Sequence, residues 1–421
     1  MRILSDRNHP VILRPGLRVV LALVVLMHGS APGQTTRPTT VKAVDLPAVV
    51  LETKGPITRE PKTAFSATLV LPTEGNPAPP VPWNGTIRIR GATSQAYPKK
   101  SFSLALESPV QPPGMPSRSH WILNAAFIDR SLMRHKLAYD LFRSVSAPGQ
   151  PRHAVASRFV EVHLNGGYQG VYLLMERVDR HLVGFAPFAK EDQAHACLFK
   201  AVNHDAGFDQ PGHGGFVQSE PKPLVMAYWQ PLDALNEFIS TAPAAEFRKA
   251  ETGIATRIDL DNAIDFHLLV LVTGNADGIT KNFYLARARP DAGAPSPRFD
   301  FVPWDYDGTF GQNWNATPLP PELWLSNHLF DRLLEDPDYR RRFAARWQQL
   351  REKEFSVRTI QGMIDANAKE LAGAARRNAD RWAAAAGAYP DRVSFEQDVA
   401  QMKTWIAAHI AWLDQRIRRQ R

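Results

Sequence analysis

The chain has 421 residues, of which 44% are hydrophobic and 22% charged, with a formal charge of +8 and one cysteine. Those proportions exclude a disordered or fibrous chain, and the length calls for one large two-lobed unit or two domains. A single cysteine excludes an internal disulfide, and a modest positive excess without any basic run interleaved with aromatics argues against nucleic acid as a partner.

Arg2, Arg7, Arg14 and Arg18 precede the apolar run Val19–Met27, and the small residues Gly29, Ser30, Ala31 and Gly33 follow. A positive start, a short apolar stretch and a small-residue cleavage zone predict a secretory signal over residues 1–33. The run is well short of the ~20 residues that span a bilayer, so the expectation is export to the periplasm or the exterior, with no stable membrane span after cleavage. Cleavage removes four Arg and one Asp and lowers the formal charge from +8 to +5. Residues 34–47, rich in Thr and Pro, read as a linker.

From residue 48 the pattern is that of strands. Val49–Thr53 and Ala67–Leu71 are β-branched or apolar runs separated by Gly and Pro. Thr73–Pro80 carries too many prolines for regular structure. Thr86–Arg90 and Lys99–Leu106 alternate with period two around the polar turn Gly91–Pro98, which predicts a hairpin whose two lysines, Lys99 and Lys100, point to opposite faces. Between Asp129 and Val145, Leu132, Met133, Leu137, Leu141 and Phe142 fall at helical spacing, with Asp129 as the N-cap. Arg158–Leu164 and Gly170–Glu176 form a second hairpin through Asn165-Gly166-Gly167. The β-rich part therefore extends over residues 48–180, and residues 181–421 read as mainly helical.

In that second part Leu232–Ser240 is a short helix, and a longer one is capped by Asp261 and carries Ile264, Phe266 and Leu268–Val272. Its apolar residues face nearly all round, so it is expected to be buried. It stops at Gly274-Asn275, and Asp277-Gly-Ile-Thr-Lys-Asn282 follows. Phe283–Ala288 and Arg298–Val302 then form a hairpin around Pro290–Pro297, which delivers Trp304-Asp305-Tyr306-Asp307. From Leu329 onward the chain reads as amphipathic helices. Cys197, ahead of Leu198-Phe199, reads as a small buried hydrophobe. His204, His213 and His267 have no ligand-like spacing.

Asp-x-x-x-x-Asn followed after a hairpin by Asp-x-Asp suits a divalent cation that holds a polyphosphate beside a proton acceptor. Read singly, Asp277 caps a turn before Gly278, Asp305 and Asp307 lead a turn into Gly308, and the basic residues of the first hairpin are a solvated face. A glycosidase with Asp277 and Asp305 as its carboxylate pair leaves Asn282 and the lysine-bearing hairpin without a role.

The order of hairpin, helix, hairpin, buried helix, Asp loop, hairpin and Asp-x-Asp is that of a protein kinase. At the level of residues the chain resembles the spore-coat protein H (CotH) kinase family of atypical secreted kinases. The likeness runs through Arg88-Ile-Arg90-Gly-Ala-Thr-Ser94, Pro98-Lys-Lys-Ser-Phe102, Asp129-Arg-Ser-Leu-Met-Arg134, Gly170–Glu176, Asn275-Ala-Asp277 with Asn282, and Trp304–Asp307 with Phe310-Gly311. It implies an α+β, atypical protein-kinase-like bilobal fold, with a β-rich N-lobe and a mainly helical C-lobe. It also implies transfer of the ATP γ-phosphoryl to Ser or Thr of a protein substrate, with Mg²⁺ or Mn²⁺. Asp277 would be the catalytic aspartate; Asn282 and Asp305, with Asp307 sharing or positioning, would hold the metal. Lys100, or alternatively Lys99, would bind phosphate with Ser94 and Arg90, and the backbone at Glu176–Val178 would meet the adenine. The hairpin has no Gly-x-Gly-x-x-Gly loop, the 129–145 helix has no Glu, and Asp-Phe-Gly and Ala-Pro-Glu do not occur. A rival reading of the same resemblance is a kinase-shaped envelope or surface protein that binds a partner without turnover.

Overall fold

The computed structural model describes residues 46–72, 82–191, 194–290, 296–388 and 393–419, all within one compact unit. The expected signal, nearly all of the linker, the Thr73–Pro80 segment and the centre of the Pro290–Pro297 loop lie outside them. The last linker residues are already part of the fold: Leu46 is buried, and the Pro47 carbonyl accepts the Glu161 amide at 2.8 Å.

Seven strands come first: β1 (Ala48–Thr53), β2 (Thr63–Val70), β3 (Pro82–Arg90), β4 (Ser101–Val110), β5 (Arg118–Asn124), β6 (Ser157–Leu164) and β7 (Gly167–Glu176). They close into a barrel in the order β1-β2-β3-β4-β5-β7-β6. The fold is α+β as expected, with its β-rich part first, but this sheet curls on itself instead of staying open. Closure comes from parallel pairing of β1 with β6, Ala48 opposite Glu161, which leaves neither strand a free edge. Alternate residues point inward to a dry core of Val49, Leu51, Phe65, Trp83, Ile87, Leu104, Trp121, Leu174 and their neighbours. At Gly85 a Cβ would overlap the Ala105 carbonyl, so β3 reaches β4 only because that position has no side chain. The β6–β7 turn is the expected one, with Asn165 and Gly166 both at positive φ (49° and 78°).

Helix α1 (Arg134–Ser144) lies between β5 and β6. It starts four residues later than the pattern predicts, because Met133 and not Asp129 sits at the cap position. The Asp129 carboxylate accepts the Ser131 and Arg134 amides and folds residues 129–133 into a turn ahead of the helix.

The second part is helical but also carries a four-stranded sheet, of which the sequence pattern predicts only the hairpin over residues 283–302. β8 (Cys197–Ala201) and β9 (Phe216–Glu220) join β10 (Phe283–Arg287) and β11 (Phe299–Pro303) in the order β11-β10-β8-β9. β8 and β9, short and set between irregular loops, give too little alternation to recognise. Helices α2 (Gln230–Thr241), α3 (Ala244–Phe247), α4 (Leu260–Thr273), α5 (His328–Leu334), α6 (Pro337–Glu352), α7 (Val357–Trp382) and α8 (Phe395–Arg418) complete it. α4 is buried from Asn262 to Thr273, as its all-round apolarity requires. Its cap is Asp259, not Asp261: Asp259 is extended and accepts the Asp261 and Asn262 amides, which puts Asp261 inside the first turn. Burial pushes the Cys197 thiol up to about 12, in keeping with a buried hydrophobe.

α7 straps the helical part to the barrel. Asn378 accepts the Val171 amide and the Lys99 ammonium, Trp382 donates to the Gln169 carbonyl, and Arg377 pairs with buried Glu161. Among the described residues no helix is long and apolar enough to cross a membrane.

Candidate active site

The loop after α4 is fixed by its own backbone chemistry. Gly274 caps the helix in the left-handed region (φ 63°), where its amide and that of Asn275 close on Leu271 and Val270. The Asn275 side chain then accepts the Gly278 amide at 2.9 Å and reaches the Asp305 carbonyl at 3.4 Å. Asn327, the N-cap of α5, donates to the Ile279 carbonyl at 2.6 Å. Asp277 is thus carried on a tied turn, with one carboxylate oxygen 2.9 Å from the Lys281 ammonium.

Asn282 ends this loop and Asp305 opens the next, and their backbones meet: the Trp304 amide donates to the Asn282 carbonyl at 3.1 Å. Both residues are left-handed (φ 61° and 62°), a region that Asn and Asp enter more readily than other side-chain-bearing residues. α1 holds the second turn from its other side. His135 and Tyr139, one helical turn apart and stacked, accept the amides of Tyr306 and Asp305 through Nδ1 (2.9 Å) and the phenol oxygen (3.1 Å). Arg134, fully buried, bridges Asp129 and Asp398 and donates to the Thr309 carbonyl at 2.9 Å, which fixes the chain after Asp307.

Between the barrel and the C-terminal sheet lies a cleft of about 550 Å³, the size of a small-ligand site. Its lining includes Asn282, Asp305, Asp307 and His135, together with Arg90 and Lys200, which lie by the Trp304 ring. His135, Asp305 and Asp307 can bring one ligand atom each to within 4.8 Å of one another. Burial, with the charges of Asp305, Asp129 and Asp277, pushes the Asp307 carboxyl well above its ordinary range. A desolvated carboxylate group of this kind is what a cation would relieve, and its oxygen donors suit Mg²⁺ or Mn²⁺. His135 contributes differently. Burial lowers its pKa, so the ring is neutral, and Nδ1 already accepts a backbone N–H. Nε2 lies 3.5 Å from the Asn124 amide nitrogen and 3.8 Å from Asp305 Oδ1, so the ring holds the turn through its Nδ1 bond to the Tyr306 amide and not through a bond to the carboxylate.

This geometry coincides with sequence relationships. The family described as CotH kinase protein matches residues 87–413. The chain belongs to the CotH family. It is 26% identical over 291 residues to the inner spore coat protein H of Bacillus subtilis (strain 168), covering 66% of this chain and 74% of that protein.

In this CotH protein the predicted site residues separate into two groups. Arg90, Ser94, Lys99, Asn282, Asp305 and Asp307 line the cleft, and Asp277 is close enough for its charge to weigh on Asp307. Asp277, Lys100 and Glu176 are not among the lining residues. Lys99 and Lys100 both precede β4. The Lys100 ammonium donates to the Gln95 carbonyl at 2.7 Å. Lys99 is buried against the Tyr172 ring with its ammonium on the Val171 carbonyl and Asn378, and burial alone lowers its pKa well below that of a free lysine. The Glu176 carboxylate turns away to the Ala156 amide and Arg118, while its neighbours Met175 and Arg177 face the cleft. The three histidines set aside earlier have other partners: His204 meets Thr280, His213 meets Asp233, and His267 meets the Leu325 carbonyl.

Sequence reasoning did not single out His135, Tyr139 or Lys200. Lys200 left one signal, a lone charge in the apolar run Cys197-Leu-Phe-Lys-Ala201. His135 and Tyr139 left only their spacing of four on one helix face.

Proposed function

We propose that this CotH protein is an exported, metal-dependent kinase that moves the γ-phosphoryl of ATP to Ser or Thr hydroxyls of another protein. The barrel and the helical part serve as the two lobes of a kinase-like fold, with the nucleotide in the cleft between them. The observation that carries the reading is the convergence of Asn282, Asp305 and Asp307 on that cleft, with Asp277 outside its lining but within reach of Asp307 by charge. The relative from Bacillus subtilis is a coat protein by name, which supports a place in the envelope or at the surface, as does the charge-then-apolar pattern of residues 1–33.

Asn282, Asp305 and Asp307 would hold Mg²⁺ or Mn²⁺, which when bound offsets the charge that builds on the phosphoryl oxygens. Lys281 occupies one Asp277 oxygen and leaves the other for the acceptor hydroxyl. In the transfer the acceptor oxygen bonds to the γ-phosphorus, the bond from that phosphorus to the bridging oxygen breaks, and its electron pair leaves with ADP. The hydroxyl proton passes to Asp277. His135 and Tyr139 keep the Asp305 turn in its left-handed shape, so positioning comes from the fold.

With labelled ATP, Mn²⁺ or Mg²⁺ and candidate acceptor proteins, the wild type should transfer phosphate. Asp277→Ala should reduce transfer by at least a hundredfold with an unchanged far-UV spectrum. Unchanged transfer in that variant refutes the assignment, and no transfer by the wild type to any acceptor favours a binding protein of the same shape.

A further inference from the structure

The structure assigns phosphate binding in this cleft to a pair of cations drawn from its two walls, Arg90 on β3 and Lys200 on β8, in place of the hairpin lysines. The inference rests on the nucleotide reading above.

The reason is how buried cations are treated elsewhere in the fold. Arg134 pairs with Asp129 and Asp398, and Arg152 pairs with Asp265 at 2.7 Å. Lys99 has a carbonyl and an amide oxygen. The Arg90 and Lys200 residues are partly buried, yet among the described residues neither side chain has a hydrogen bond or an ion pair. Their contacts are aromatic: the Arg90 guanidinium carbon lies 5.6 Å and the Lys200 ammonium 5.8 Å from the Trp304 ring centroid, and Lys200 lies 5.9 Å from that of Tyr284.

A ring face returns less than desolvation of a cation costs, and the main opposite charge acting on both groups is that of Asp305. Asp305 is also the expected metal ligand, so it does not neutralise them once a cation is bound. Both cations face the same Trp304 ring, 5.6 and 5.8 Å from its centroid, and an anion between them would supply the partner that the ring does not. The class of ligand that fits is a di- or triphosphate. It would lie between two cations and the Asp305–Asp307 metal wall, with its metal-facing oxygens on one side and its remaining charge on the other. Because Arg90 belongs to the barrel and Lys200 to the C-terminal sheet, the phosphates would tie together the two halves of the cleft.

The test measures binding of ATP, inorganic tripolyphosphate and adenosine to the full chain by calorimetry, for the wild type, Arg90→Met, Lys200→Met, Lys200→Arg and Lys100→Met. Arg90→Met and Lys200→Met should each weaken ATP and tripolyphosphate at least tenfold while adenosine affinity stays within twofold. Lys200→Arg should keep most of the binding, and Lys100→Met should match the wild type. Both Met variants should also melt no lower than the ligand-free wild type, because an uncompensated charge is removed; a lysine with a purely structural role would lower the melting temperature. Undiminished ATP and tripolyphosphate binding in Lys200→Met, or its loss in Lys100→Met, overturns the assignment. Phosphotransfer by Lys200→Met with an unaltered KM for ATP overturns it while leaving the kinase reading intact. Tripolyphosphate binding that depends on Lys200, in a protein that transfers no phosphate, upholds the pair and removes the kinase reading.

Discussion

Asp307 shows how the cleft sets stability against chemistry at a single residue. Burial and three neighbouring carboxylates raise its pKa, so the folded protein holds this proton more tightly than the unfolded chain does. Without metal, stability therefore falls as pH climbs from the ordinary carboxylate value through the raised one. Asp307→Asn cannot titrate, so in chelator it should melt a few degrees above the wild type at pH 8, with the gap closing as pH drops towards 4. Added Mn²⁺ should reverse the order, since the carboxylate then has a partner. Differential scanning fluorimetry at the two pH values checks both limbs; a variant that melts below the wild type in chelator at pH 8 contradicts this account. His135 and Lys200 belong to the same scale. Each leaves little or no signal in sequence and takes its place from what it faces, a backbone amide in one case and the Trp304 ring in the other.

At the scale of elements, α1 links the barrel to the Asp305–Thr309 turn and to the last helix. It does so through Arg134, whose guanidinium satisfies Asp129 and Asp398 together at 2.6 Å each, and both carboxylates draw its pKa up. The family motif had pointed to Asp129–Arg134 without a task for the arginine, because Asp398 lies far along the chain. Arg134→Met leaves two buried carboxylates unpaired, which typically costs about 3–5 kcal/mol. Urea unfolding should show that loss, and the triple variant with Asp129→Asn and Asp398→Asn should recover part of it. An Arg134→Met midpoint equal to the wild type would show that the network carries no net stability. α4 illustrates the opposite case. Its apolar run is local, its burial was evident from the sequence, and only its cap shifted, from Asp261 to Asp259.

For the whole molecule, the nucleotide reading has a consequence independent of any acceptor. A ligand that binds only the folded state adds about 2.7 kcal/mol at a hundred times its Kd. Millimolar ATP with Mg²⁺ or Mn²⁺ should therefore raise the melting temperature clearly, and ATP in chelator should raise it less. No shift with either metal would leave a binding protein as the better description. Closure of the barrel is also a property of the whole. β1 and β6 are separated by more than half of the β-rich part, and the pairing of Ala48 with Glu161 depends on Gly85, on the Asn165-Gly166 turn and on α7 packed outside β7.

The sequence by itself determined what local chemistry encodes: alternation in β3 and β4, the Asn165-Gly166 turn between β6 and β7, the buried run of α4, and the spacing of Asp277, Asn282, Asp305 and Asp307. Periodicity records which face of a segment is apolar, so these were legible without coordinates. The tertiary structure alone decided that β1 closes on β6 and that short β8 and β9 join β10 and β11. It also decided that Lys100 turns to Gln95 while Lys200 enters the cleft. Those outcomes depend on which distant strand supplies the partner and in what register, and in a strand a shift of one residue turns every side chain to the opposite face.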